Sequence, residues 1–136
     1  MTPERIARLL HAGQWYVQDV VPYINHISNV VAAVEGPDKD VAWLHDVLED
    51  TDITVTELLD LGVSHETVES VIVLTRCLDE TYGDYIERLS KSCNPASIRV
   101  KVADVRSNLK RCRDDYSKRT LIKRYEKTLE KLEKLI

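Results

Sequence analysis

His45 and Asp46 stand side by side in the apolar run Val41-Ala42-Trp43-Leu44-His45-Asp46-Val47-Leu48, and one turn later Glu49-Asp50 adds a second charged pair. Burying that much charge is costly unless something offsets it. A divalent cation held by imidazole and carboxylate is the usual offset, and it points to metal-dependent hydrolysis. On a helix, positions four apart share a face, so His45 would lie above Glu49 and Asp46 above Asp50. Four carboxylates (Asp46, Glu49, Asp50, Asp52) would then crowd the C-terminal end of one helix, where the macrodipole disfavours anions. The bland alternative is a solvated acidic helix end with His45 half-buried and hydrogen-bonded.

A cation needs more than two protein ligands, so further donors should converge. His26 lies in Pro22-Tyr23-Ile24-Asn25-His26, beside an apolar stripe. Asp104 lies in Val100-Lys101-Val102-Ala103-Asp104-Val105. At about 100° per residue it falls on the polar flank of its helix, with Asn108 and Arg111 alongside. Taken singly, such a histidine is more often a satisfied core residue, and Asp-x-x-x-Asn more often a solvated edge.

The elements that must position these side chains read as helices. Thr2-Pro3 caps a first helix carrying Ile6, Leu9 and Leu10 inward, and Gly13 ends it. An irregular connection covers 14–22. A second helix runs over about 23–34 with Ile27, Val30, Val31 and Val34 at helical spacing. The turn Gly36-Pro37 and a capping Asp38 open a third helix over about 38–49. Thr54 and Glu57 form a capping box before a short helix ending at Gly62. Ser64 caps a helix with Val68, Val71, Ile72 and Leu74, and another starts near Tyr82 and carries Tyr85, Ile86 and Leu89. Asn94-Pro95 opens a long helix whose single apolar stripe is Ile98, Val102, Val105, Leu109 and Cys112. The last helix, about 117–135, presents Leu121, Tyr125, Leu129 and Leu132 with a Lys/Glu exterior; that stripe could pair with a partner helix or a second copy, so a homodimer is a candidate assembly. No window alternates strictly. The expected fold is all-α, a compact single-domain bundle of about seven to eight helices.

Composition agrees. The 136 residues suit one domain, with no Phe and only four Gly and four Pro. Net charge is −4, from 19 basic and 23 acidic residues, which argues against nucleic-acid or membrane-surface binding. Cys77, Cys93 and Cys112 lie 16 and 19 positions apart, without metal-knuckle or redox spacing. They read as reduced, mostly packed thiols. No apolar run reaches the roughly 20 residues of a membrane span, and no signal-peptide core is visible. A cytoplasmic protein is expected.

Together, His26, His45-Asp46 and Asp104 match the H…HD…D signature, and the chain resembles the HD-domain metal-dependent phosphohydrolases. Within that superfamily it is most similar to the Rel/Spo-type guanosine tetraphosphate (ppGpp) 3′-pyrophosphohydrolases and small alarmone hydrolases. The matching stretches are His11-Ala12-Gly13-Gln14, Pro22 to His26, Leu44 to Thr54, and Val100 to Asp104 with Asn108. The resemblance implies one HD domain over 1–136 and one divalent ion held by His26, His45, Asp46 and Asp104. Mn²⁺ is the expected ion, with other divalent transition metals as alternatives. Water acidified by the ion would attack phosphorus, with Glu49 and Asp50 as the catalytic acidic pair. Asn108 corresponds to a nucleotide-contacting residue, Tyr23 joins it from the Pro-Tyr-x-x-His segment, and Lys101 and Arg111 are phosphate contacts by position only. The substrate would be a small-molecule nucleotide.

One departure stands out. Where that family carries an Arg-Lys-Ser-Gly stretch, this chain reads Trp15-Tyr16-Val17-Gln18-Asp19-Val20-Val21, one residue longer and without a basic residue. Trp15 or Tyr16 could stack on a base, or simply pack the loop down. Two other functions therefore stay open. One is a nucleotidase or nucleotide phosphohydrolase of the wider HD superfamily. The other is a non-catalytic helical regulatory module that retains a structural metal.

Overall fold

The Thr2 hydroxyl accepts from the Arg5 amide at 3.2 Å and Pro3 fills the first turn, so α1 (Pro3–Leu10) begins where cap and proline dictate. The computed structural model describes residues 1–16 and 21–136. Of the connection 14–22, residues 17–20 lie outside the described ones. Next come α2 (Tyr23–Ala32), α3 (Asp38–Leu44), α4 (Val47–Asp50), α5 (Val55–Asp60), α6 (His65–Leu74) and α7 (Tyr82–Ser90). The chain closes with α8 (Pro95–Cys112), a 3-10 turn at Tyr116–Lys118 and α9 (Arg119–Glu133). The described residues contain no strand, only an isolated bridge between Trp15 and Pro22. The all-α expectation holds.

The caps at Thr54, Ser64, Thr81 and Asn94 all engage their helices. Thr54 and Glu57 form the full capping box, which stabilises a short helix such as α5 by about 1 kcal/mol. The expected third helix, in contrast, is two. It breaks at His45-Asp46, where the imidazole Nδ1 donates to the Ala42 carbonyl at 2.6 Å. That carbonyl is the acceptor a continuous helix would offer to the Asp46 amide. Asp38 is not a cap either. It is the first residue of α3, buried, and its carboxylate takes a forked bond from Arg99 of α8 at 2.6 and 3.2 Å.

Helix α8 runs through the middle, packed on α2, α3, α6, α7 and α9. It is therefore buried on more than the single stripe expected. Val100 and Ala103 join the core beside Ile98 and Val102, and Asp104, expected on a polar flank, is 5% exposed. The remaining core brings together Ile6, Ile27, Val30, Leu44, Val47 and Leu89. Leu9 and Ile72 point outward instead, at 59% and 46% exposure. Cys112 is packed, whereas Cys77 and Cys93 sit exposed in connections, so only one of the three thiols is buried. No helix among the described residues is long and apolar enough to cross a membrane.

Candidate metal centre

Three elements bring the donors together: α2 supplies His26, the α3–α4 break supplies His45 and Asp46, and α8 supplies Asp104. The two imidazole centroids are 5.9 Å apart, and His26, His45 and Asp46 each offer a ligand atom within 4.8 Å of the others. Asp104 Oδ1 lies 2.7 Å from His26 Nε2 and 3.5 Å from His45 Nε2. The break in the helix matters here. It turns His45 and Asp46 to the same point, with His45 Nε2 3.2 Å from Asp46 Oδ2.

The hydrogen bonds behind the donors set their lone pairs. With Nδ1 of His45 donating to Ala42, Nε2 is buried and makes no hydrogen bond among the described residues. It faces two carboxylates. Burial opposes protonation of His45, but Asp46 and Asp104 outweigh it and hold its pKa well above the ordinary value. Such a pocket is built for positive charge. His26 Nδ1 pairs with the Ser107 hydroxyl at 3.2 Å, so its Nε2 also points inward. The Tyr23 hydroxyl donates a short bond to Asp46 Oδ2. Lys101 Nζ holds the outer oxygen of Asp104 at 3.1 Å. Burial pushes Asp104 upward, yet the Lys101 charge together with the His26 and His45 interactions outweighs it and keeps it well below the usual carboxylate range. Two imidazoles and two carboxylates around a buried nitrogen that makes no hydrogen bond fit one divalent cation of borderline softness.

The acidic pair lies at the mouth. Glu49 and Asp50 end the short α4, both exposed. Glu49 Oε1 accepts the Arg76 amide at 2.9 Å, and its other oxygen makes no hydrogen bond among the described residues. Partial burial, then the charges of Asp46 and Glu49, push Asp50 up to about 6. A carboxylate raised in the folded state costs stability as pH climbs from its ordinary value through about 6, and the cost is complete above that. Asp50→Asn removes it. Solvent screening at this exposed group leaves about 1 kcal/mol, or about 4 °C in Tm. Thermal unfolding of chelator-treated protein should show that rise at pH 8 and none at pH 4; equal shifts at both would contradict it.

The remaining expected residues fall around this centre in different ways. Asn108 donates to Asp104 Oδ1 at 3.4 Å and accepts from the Tyr16 hydroxyl at 3.5 Å. Lys101 is spent on Asp104 and on the Tyr85 ring, 5.1 Å from its centroid. The Arg111 guanidinium lies over the Tyr16 ring at 3.2 Å. Tyr16 packs down against Tyr23 and His26, with centroids 5.2 and 5.3 Å away, while Trp15 is 58% exposed. The rest of that loop, Val17-Gln18-Asp19-Val20, lies outside the described residues.

Sequence reasoning gave His11 no role. It is fully buried, 5.3 Å from the Tyr23 ring, and its Nδ1 donates to Gln14 Oε1 at 2.7 Å. Gln14 Nε2 in turn donates to the Asp50 carbonyl at 3.1 Å, so both contacts agree on the amide's orientation. Burial lowers the His11 pKa and keeps the ring neutral. The signal that could have found it is the His-x-x-Gln spacing at a helix end, three positions apart, which suits just such a bond.

No family model and no curated protein matches the chain. Among solved structures it is similar to a metazoan ortholog of SpoT that hydrolyzes ppGpp and plays a role in starvation responses. The TM-score is 0.80 at 23% identity, over 96% of this chain and 83% of that one. The two share a fold. The all-helical architecture expected from the sequence is thus the architecture found, and within it His26, His45 and Asp46 converge with Asp104 against both imidazoles.

Proposed function

We propose that the chain is a metal-dependent phosphohydrolase of nucleotides, most like a (p)ppGpp 3′-pyrophosphohydrolase. The observation that carries this is His45 Nε2, buried among Asp46, Asp104 and His26 without a hydrogen bond of its own. The fold shared with a ppGpp-hydrolysing metazoan protein supports the same substrate class. His26, His45, Asp46 and Asp104 would hold one divalent ion, Mn²⁺ in the first instance. When bound, such an ion acidifies water and offsets charge on phosphoryl oxygens.

The chain's own residues do the rest. Glu49, anchored through one oxygen by the Arg76 amide, has the other with which to take a proton from water. Asp50, beside Asp46 and Glu49 at the mouth, is placed to accept and return a proton. Tyr23 steadies Asp46, and Lys101 steadies Asp104 while placing positive charge just behind it. Arg111, spread over Tyr16, brings from α8 a cation to the side where Trp15 to Val21 carries none. Asn108 adds an amide for the nucleotide. Two recesses reach residues next to the donors without being lined by the donors themselves: one of 1180 Å³ includes Tyr16, Ser107 and Arg111, and one of 760 Å³ includes Gln14, Glu49 and Asp50. This reading takes 1–136 as a single HD domain acting in the cytoplasm.

The test is a Mn²⁺-supplemented screen with phosphate and pyrophosphate read separately. Guanosine 3′,5′-bispyrophosphate should yield GDP and pyrophosphate. Orthophosphate released from nucleoside monophosphates instead would favour the nucleotidase reading, which the missing basic residues of Trp15 to Val21 motivate. No metal-stimulated release from any phosphoester would end both.

A further inference from the structure

Glu49 sits at the exposed end of a four-residue helix, so packing does little to hold its carboxylate. What holds it is the amide of Arg76, 27 positions away at 2.9 Å. Arg76 begins the connection between α6 and α7, whose Cys77, Leu78 and Asp79 are exposed, Leu78 entirely so. Apolar burial therefore cannot fix this segment. One guanidinium ties its two ends together. Arg88 of α7 donates to the carbonyls of Val73 and Thr75 at 3.0 and 3.1 Å, just before the segment. It also forks onto Glu80, just after it, at 2.7 and 3.0 Å. Glu80 passes the grip inward. Its carboxylate accepts the Cys77 amide at 3.1 Å, and its carbonyl accepts Arg76 Nε at 2.9 Å. The Arg88 bonds hold the Glu80 carboxyl down at about 2, so the pair stays charged across the working range.

We infer that Arg88, clasped to Glu80, is a positioning residue for Glu49: it fixes the 75–80 turn so that the Arg76 amide aims one Glu49 oxygen and leaves the other free. The inference rests on the catalytic role proposed for Glu49 above. The fork geometry is specific to a guanidinium, because an ammonium cannot span two carbonyls and both carboxylate oxygens at once.

The experiment uses the full chain with Mn²⁺ and guanosine 3′,5′-bispyrophosphate, comparing Arg88→Lys, Arg88→Met and Glu80→Gln with wild type. Each variant should lower kcat about 10- to 100-fold, as expected when a reacting group is misplaced by about an ångström. KM should move less than about threefold, since substrate contacts are untouched. The decisive arm is a double-mutant cycle. If Arg88 acts through Glu49, Arg88→Met should cost nothing further in a Glu49→Gln background. Hydrogen exchange at the Arg76 amide should be slow in wild type and fast in Arg88→Met. Losses in kcat that add fully to those of Glu49→Gln would overturn the inference, as would wild-type kcat alongside a fast-exchanging Arg76 amide. Should wild type turn over no phosphoester, the functional reading falls by itself. The clasp is then judged on exchange alone: protection lost in both Arg88→Met and Glu49→Ala supports it, and unchanged protection refutes it.

Discussion

In His45→Ala, added Mn²⁺ should no longer raise Tm, and turnover should fall by about 10³-fold or more. The two losses share a cause. In wild type, an ion that binds only the folded state stabilises by mass action, about 2.7 kcal/mol at a hundredfold excess over Kd, or about 10 °C here. His45 contributes a buried nitrogen that makes no hydrogen bond among the described residues, between Asp46 and Asp104. Without it those carboxylates face each other across a void. The Tm of the variant without metal will also change, because the ring bonds Ala42 and is buried. The informative quantity is therefore the metal-induced shift, measured by calorimetry with and without chelator. A full wild-type shift in the variant would remove His45 from the ligand set.

Glu49→Gln separates catalysis from metal capture. The amide is nearly isosteric and its Oε1 can still accept the Arg76 amide, so the α4 end should keep its place. What disappears is a basic oxygen. Loss of a general base typically costs 10²- to 10⁴-fold, so kcat should drop by about that factor. The Mn²⁺-induced rise in Tm should persist, since Glu49 is not among the converging donors. Undiminished kcat would leave the carboxylate without a chemical role and return weight to a regulatory module with a structural ion.

Much of the centre was legible from residue types alone, because imidazole and carboxylate rarely sit in apolar runs without a partner. His26 and Asp104, 78 positions apart, were tied to His45-Asp46 by their resemblance to a known pattern, and the fold does bring them within bonding reach. Periodicity also found the caps and the helices. It failed where tertiary contacts outweigh local preference. Nothing in Leu44-His45-Asp46-Val47 announces a break, since the stop is a side-chain bond to a carbonyl and not a glycine or proline. Asp104 looked like a flank residue because α8 was read as packed on one side, whereas α2 and the His45 break cover the flank that carries it. Arg88 and Glu80 look like ordinary surface charges until the turn they clasp is seen to reach Glu49.

Each donor at the centre carries its own tether: Ala42 for His45, Ser107 for His26, Tyr23 for Asp46 and Lys101 for Asp104. The entropy of gathering a cage is thus spent while the chain folds, not when a cation arrives. Capture is then governed by how quickly the incoming cation sheds its hydration shell, so uptake rates should rank different cations by their water-exchange lability.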